Sequence, residues 1–429
     1  MLVKMQLYEL QTLVRTRRQQ RNKFVNDRVI PLGRNRNGEI VTMPYKDFSG
    51  ALGIIGTSGV GKSCMVKRIY SYMLYFYNKV LGRRRPGIIF DLQSEDHWRS
   101  KDENTDPYPL FYQQGEIPVA LKNLVCYAPT FTYRECHSFD KLFGFDLSVI
   151  DRRDMRSMNL KPTSTRTLYR LFVENAELLK NPDVFFENFL RAPTSDREFE
   201  AIQSDPNFKL RMTSPLNFNV KAVLEGVLET MLTDKVFVGT NSEYYKKSFI
   251  EDLKQGKIVC INFHQMQEYM GLYIGVILKD LYLRRRLAYR KGDNSFPCPV
   301  IIIEEADLAL SGKDTNLEEG ATKWTLEILR RGRRYGFYTI LCTQQASSLH
   351  PQVKEHTRQW IISSVPTADL KFFKDKFAPH VIETIKSLDL SRNEWGAVEW
   401  CYVYNHGRSC KTFYPYNSPV NIVRGGGTT

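Results

Sequence analysis

The 429 residues carry 61 Lys and Arg against 47 Asp and Glu, a net charge of +14, with 42% apolar and 25% charged side chains, the make-up of a soluble globular chain with room for two or three domains. No run approaches the roughly 18 uninterrupted apolar residues of a membrane helix, and the N-terminus lacks the apolar segment and small residues of a secretory signal, so a cytoplasmic location is expected. The cationic excess suits a polyanionic partner such as nucleic acid and equally a basic soluble surface.

Residues 1–28 are polar and basic, with Arg15, Arg17, Arg18, Arg21, Lys23 and Arg28, and Leu7, Leu10, Leu13 and Val14 outline a short helix. A solvated arm and a helix docking on a neighbouring subunit both fit. Residues 29–48 set Asn35, Asn37 and Gly38 between short apolar pieces, the pattern of a hairpin entering the core. Apolar runs then recur at 51–55, 87–91, 123–127, 257–262, 300–304, 338–343 and 360–363, separated by helix-like stretches such as 62–80, 271–289 and 322–335. Runs rich in Ile and Val with little alternation are expected of strands buried on both faces. Their alternation with helices predicts an α/β fold, a mostly parallel sheet wrapped by helices.

Residues 130–240 break this rhythm. Amphipathic pieces at 164–179 and 220–232, with loop signals at Asn181-Pro182 and Ala192-Pro193, read as a mostly helical insertion between core segments 29–129 and 241–420. Past Pro366 the pattern is mixed. Residues 400–404 and 411–414 predict a terminal β-hairpin, and 421–429, with three consecutive glycines, a frayed tail. The eight Cys form no CxxC pair and the seven His lie at no ligand spacing, so neither a zinc site nor a disulfide framework is expected.

Gly56-Thr57-Ser58-Gly59-Val60-Gly61-Lys62-Ser63 matches the pattern of a phosphate-binding loop between a strand and a helix. Such a loop wraps backbone N–H groups around phosphate oxygens, which requires the dihedral freedom and close approach that Gly permits. Lys62 would supply positive charge between the β- and γ-phosphates and Ser63 a hydroxyl for Mg²⁺. The first turn of the following helix, including Cys64, would point its partial positive charge at the phosphates. ATP with Mg²⁺ is therefore the expected ligand.

The run Val300-Ile301-Ile302-Ile303-Glu304-Glu305-Ala306-Asp307 is an apolar strand ending in carboxylates. The first acid, Glu304, is placed to serve Mg²⁺ and the second, Glu305, to orient and polarise the attacking water. Farther on, Arg330-Arg331-Gly332-Arg333-Arg334-Tyr335-Gly336 precedes a strand that ends in Thr343-Gln344. Gln344 lies where a neutral amide senses the γ-phosphate or the water. The arginines would serve a neighbour's ATP as an arginine finger does; a basic, exposed helix end is the plainer alternative.

In order and spacing the chain resembles the HerA/FtsK superfamily of hexameric DNA-pumping ATPases, the HerA branch most closely. The resemblance covers roughly residues 29–420 and rests on Ile30-Pro31-Leu32-Gly33, the P-loop, Asp91, residues 256–262, the acidic pair followed by Ala306, Gly332 to Gly336, Thr343-Gln344 and Ser418-Pro419. It implies a RecA-like core of the ASCE type and a homohexameric ring with ATP between subunits. It also implies double-stranded DNA in a central channel; since no base-reading motif is visible, binding without sequence preference is expected. Arg330 or Arg333 would be the trans arginine and Gln344 the γ-phosphate sensor. The metal-side acid of those proteins is usually Asp, here Glu304. Too few residues precede Ile54 for the N-terminal barrel of cellular HerA, so the likeness is to a trimmed form, as in mobile elements or viruses. Viral genome packaging with capsid partners and a conjugation or secretion motor on a membrane complex are the alternatives. A nuclease is a candidate partner as well, though one that docks through that barrel would lack its surface here. Arg83-Arg84-Arg85, Arg284-Arg285-Arg286 and Arg290-Lys291 are candidate DNA contacts.

Overall fold

The computed structural model describes residues 28–44, 50–81, 85–92, 124–132, 139–150, 160–239, 247–263, 269–293, 296, 298–311, 320–392 and 397–415. The expected arm up to residue 27, Arg83, Arg84, Ser418-Pro419 and the tail lie outside them.

Twelve strands among the described residues build one sheet: β1 Val29–Arg34, β2 Ile40–Pro44, β3 Ala51–Ile55, β4 Gly87–Asp91, β5 Leu124–Pro129, β6 Lys141–Phe143, β7 Ile258–Asn262, β8 Val300–Ile303, β9 Tyr338–Thr343, β10 Gln359–Ile362, β11 Trp400–Tyr404 and β12 Ser409–Pro415. Their order is β2-β1-β12-β11-β10-β3-β9-β8-β4-β7-β5-β6. The eight strands from β10 to β6 run parallel, whereas β11, β12, β1 and β2 extend the sheet in antiparallel pairs. The expected α/β architecture is thus present, and the predicted hairpins at both ends of the chain meet each other on one flank of the sheet.

The helices are α1 Lys62–Leu81, α2 Pro162–Glu174, α3 Pro182–Leu190, α4 Asp196–Gln203, α5 Phe218–Thr233, α6 Lys247–Lys254, α7 Met270–Arg290, α8 Ala306–Ala309, α9 Gly320–Arg331, α10 Pro351–His356, α11 Thr367–Lys374 and α12 Pro379–Lys386. Alternate strand residues feed two separate cores. Leu52, Ile54, Ile89, Cys260, Ile302 and Cys342 pack with α1 on one face. Ile55, Ile88, Phe90, Ile261, Ile303 and Leu341 pack with α7, α9 and α12 on the other. Leu168, Phe185, Leu224 and Leu228 of α2, α3 and α5 belong to that second core. The 130–239 segment therefore shares its apolar interior with the sheet and also contributes the edge strand β6. Asp252 of α6 fastens that edge, accepting from Tyr127 Oη (2.6 Å), Lys141 Nζ (2.9 Å) and Lys257 Nζ (2.7 Å).

The stretch 322–335, read from periodicity as one helix, is broken. α9 stops at Arg331, and Gly332–Tyr335 forms a 3₁₀ turn closed by Gly336 at φ 86°. Arg85 holds this turn from below: Nε donates to Cys298 O (3.0 Å), Nη2 to Gly336 O, and the guanidinium lies 4.2 Å from the Tyr338 ring centre. Arg285 does the same from α7, donating to Tyr335 O and Phe296 O, both at 2.9 Å. These two candidate DNA contacts are structural pins, half-buried or deeper.

α7 and α9 touch backbone to backbone at Gly275, where a Cβ would come within 2.6 Å of Gly320 C and 2.8 Å of Ala321 N. Gly275→Val forces the helices apart and should lower the unfolding free energy by about 2–3 kcal/mol, read as a shift of the denaturant midpoint.

Candidate nucleotide site

Three adjacent parallel strands carry the site on their C-terminal ends, where open α/β sheets bind ligands. β9 lies between β3 and β8, with Ile55 opposite Thr343 and Ile303 opposite Leu341. The phosphate loop therefore begins about 10 Å from the acidic pair, two strand spacings away, and Gln344 issues between them.

The loop leaves β3 after Ile55 and enters α1 at Lys62. Gly59 and Gly61 adopt φ of 79° and 96°, and nothing lies within 4 Å of where their Cβ atoms would stand. The positive φ is open to Gly at little cost, and the backbone there is left bare of neighbouring side chains. The loop is anchored by Thr57 N donating to Ser364 O and Met65 N to Gly61 O, both 3.0 Å. Lys62 is 7% exposed, and its ammonium crosses the loop to donate to Thr57 O at 3.2 Å. Thr57, Val60, Ser63 and Cys64 are half-buried, and Ser58 and Gly59 exposed.

Glu304 is 5% exposed and extends the β8–β4 ladder, its N donating to Phe90 O at 3.1 Å. In a parallel ladder this register sets it beside Asp91, on the α1 face shared with Ile302 and Ile89. Asn262, paired with Asp91, joins them. Beneath lies Lys67, one turn past Ser63 on α1 and fully buried. Burial pushes its ammonium below the ordinary lysine range, and the negative charges of Glu304, Cys64 and Asp91 oppose that shift.

Glu305 turns out of the strand in the left-handed region, φ 46° and ψ 50°, as the cap of α8. A non-glycine residue there costs about 1–2 kcal/mol, and such strain concentrates at functional sites. The turn brings Glu305 Oε1 to Gln344 Nε2 at 3.1 Å. Next to it, Thr343 Oγ1 donates to Asp307 Oδ1 at 2.6 Å. Beyond Gln344 the chain is held by buried Asp369, which accepts from the N–H groups of Ala346 and Ser347.

The sequence-predicted residues thus fall into two groups. Residues 56–64, Glu304, Glu305 and Gln344 converge on one rim. Arg330 and Arg333 do not join them. Phe337 N donates to Gly332 O and Gly336 N to Arg333 O, both 3.0 Å, which fixes this turn at the start of β9, roughly 20 Å from Thr343 at its end. Arg330, Arg331, Arg333 and Arg334 are all exposed. Arg330 reaches α10, Nε to His356 Nε2 at 3.0 Å and Nη2 to Gln352 Oε1 at 2.7 Å. Burial and then the Arg330 charge lower the His356 pKa, which favours the neutral ring that this contact requires. Lys67, Asp307 and Asp369 were missed in the sequence. Asp307 sits within the acidic run, but the other two carry no local signal.

No cluster of three or more His, Cys, Asp or Glu among the described residues is arranged to hold a metal. The donors at the rim, a Ser63 hydroxyl and the Glu304 carboxylate, are hard oxygens of the kind Mg²⁺ takes in small number when nucleotide phosphates supply others.

Compared with known proteins, the chain matches the model of the family described as Helicase HerA, central domain, over residues 32–281, more than half its length. The DNA double-strand break repair helicase HerA of Sulfolobus acidocaldarius is 31% identical over 150 residues, which are 33% of this chain and 29% of that protein; the match spans under a third of that relative. The bacterial conjugative coupling protein TrwBdeltaN70 superposes with a TM-score of 0.51 at 13% identity, over 94% of this chain and 93% of that one. The plasmid coupling protein TrwB in complex with ADP and Mg²⁺ gives 0.53 at 13% identity, over 88% of each. At this identity the likeness is one of fold, and it makes the fold RecA-like.

Proposed function

The chain belongs to the HerA central-domain helicase family, and on that premise we propose that it is a Mg²⁺-dependent ATPase that drives duplex DNA through a homohexameric ring, each ATP lying between two subunits. The observation that carries the hydrolytic part is the Glu305–Gln344 contact on the phosphate-loop rim. An amide donating to one carboxylate oxygen fixes the direction of the other lone pairs, which is what a water-orienting base needs. Lys62 and the N–H groups of the 56–64 loop, apart from that of Thr57 which Ser364 O already takes, would hold the phosphates, and Ser63 and Glu304 would hold the metal. Bound Mg²⁺ would neutralise charge on the β- and γ-phosphates. Gln344, one residue past β9 and in contact with Glu305, would register the γ-phosphate. Arg330 or Arg333, a strand length from the end of β9 that carries their own site, would serve a neighbour's nucleotide rather than their own.

For DNA, the C-terminal turn of α7 and the 3₁₀ turn after α9 form one basic face. Tyr289 packs on Tyr335 at 5.3 Å between ring centres, and the Arg334 guanidinium lies 5.8 Å from the Tyr289 ring centre. Arg290 and Lys291 are exposed beside them. Such a face tracks phosphates without reading bases. Replacing Arg290, Lys291 and Arg334 by Ala should weaken duplex binding equally across sequences and flatten the salt dependence by about 0.9 in slope per lost contact. Fluorescence anisotropy across a salt series reads both quantities.

The deciding experiment is steady-state ATPase with and without long duplex DNA, with Lys62→Ala as the blank. A severalfold rise with duplex, weaker with single strands, supports translocation. A Lys62-dependent rate indifferent to DNA sinks it and points to a protein-handling motor.

A further inference from the structure

Two arginines have been candidates for the same trans role, and their surroundings differ. Arg330 is hydrogen-bonded at two points to α10, through Nε to His356 Nε2 and through Nη2 to Gln352 Oε1. Of the five N–H donors of a guanidinium this uses two, and the rest remain for a phosphate. A planar fork held at two points points one way, so little freedom is lost when it meets its target. Arg331, by contrast, pairs with Glu327 a turn back on its own helix, and Arg334 stacks on Tyr289.

The platform that holds Arg330 is built into the nucleotide rim. α10 begins just after His350, whose N donates to Leu310 O at 2.8 Å. Leu310 closes α8, the short helix that Glu305 opens. Lys354 Nζ donates to Ser347 O at 3.1 Å, and Ala346 and Ser347, two and three residues past Gln344, are held by Asp369. One hydrogen-bonded segment thus ends in the γ-phosphate-sensing amide on one side and holds the exposed arginine on the other.

We infer that Gln352 and His356 are positioning residues that present Arg330, rather than Arg333, to the nucleotide of the adjoining subunit. This rests on the ring reading above. It requires His356 to be an acceptor at Nε2, a role a glutamine side-chain oxygen can take over and an alanine cannot.

Four proteins test it: Arg330→Ala, Arg333→Ala, the double variant Gln352→Ala/His356→Ala, and His356→Gln. Each is assayed for affinity of a fluorescent ATP analogue, for kcat, and for kcat after mixing with Lys62→Ala subunits. Arg330→Ala should lose on the order of a thousandfold in kcat, the scale of an arginine finger. Arg333→Ala should lose far less. The double variant should lose on the order of a hundredfold, the cost of a misplaced group, with nucleotide affinity unchanged, and His356→Gln should keep most of the rate. Mixing should restore hydrolysis to the double variant, because Lys62→Ala subunits bring a well-held Arg330 to its intact phosphate loop. A defect in the variant's own site would not be rescued, and that result overturns the positioning role. So does a double variant at the wild-type rate beside an inactive Arg330→Ala, or an Arg333→Ala loss equal to that of Arg330→Ala. Wild-type hydrolysis by Arg330→Ala is a different failure: it removes the trans arginine itself.

Discussion

Glu305→Gln should bind ATP as the native chain does and hydrolyse it on the order of 10²–10⁴-fold more slowly, the range for loss of a positioned base. The substitution is isosteric, so the left-handed turn at φ 46° and the contact across to Gln344 can both persist. What disappears is the negative charge that polarises water. A fall in kcat and in kcat/KM together, with nucleotide affinity constant, is the signature of an interaction made only in the transition state. Gln344→Ala is the companion measurement. It leaves the charge on Glu305 but removes the donor 3.1 Å from Oε1, so its loss should be smaller than that of Glu305→Gln. Gln344→Glu would set two carboxylates at that distance, and like charges so close disfavour joint ionisation. Near-normal turnover by Glu305→Gln would take Glu305 out of the mechanism and leave its strained backbone unexplained.

Much of this site is legible in the amino-acid sequence, and the reason is local. β3, β4 and β9 follow the predicted runs because strands buried on both faces are mostly apolar without alternation, as 51–55, 87–91 and 338–343 are apart from Asp91 and two threonines. The phosphate loop is a contiguous pattern, and so is the acidic pair. What was not readable depends on residues far apart in sequence. Whether an arginine is a solvated DNA contact or a pin depends on which carbonyl it meets. Arg85 meets Gly336, and Arg285 meets Tyr335. The three residues of β6 are too few to show a period. Asp369 looks like any first-turn acid of a helix until its carboxylate is found capping the loop behind Gln344. The break after Arg331 had a signal, Gly332 and Gly336 flanking the basic turn, that periodicity alone overrode.

Two lysines a turn and a half apart on α1 should separate binding from folding. Lys62→Ala should lose ATP affinity on the order of 10²–10³-fold, the scale for deleting one preorganised charge donor, while the melting transition hardly moves. Its contact at 3.2 Å is with the loop carbonyl of Thr57, and the loop is independently fastened by its backbone to Ser364 and through α1. Lys67→Ala should do the reverse. Fully buried against Glu304 and Asp91, it offsets two neighbouring carboxylates that have no comparable access to water. Removing a buried cation from beside two carboxylates should cost about 3–5 kcal/mol of stability. Denaturant midpoints and nucleotide titrations on the two variants distinguish the roles. If Lys62→Ala unfolded as readily as Lys67→Ala, the loop would depend on its lysine for shape, and loss of binding could no longer be assigned to phosphate contact. If Lys67→Ala were fully stable, the buried ammonium would not be what steadies the carboxylates of Glu304 and Asp91, and its burial beneath them would have no structural role.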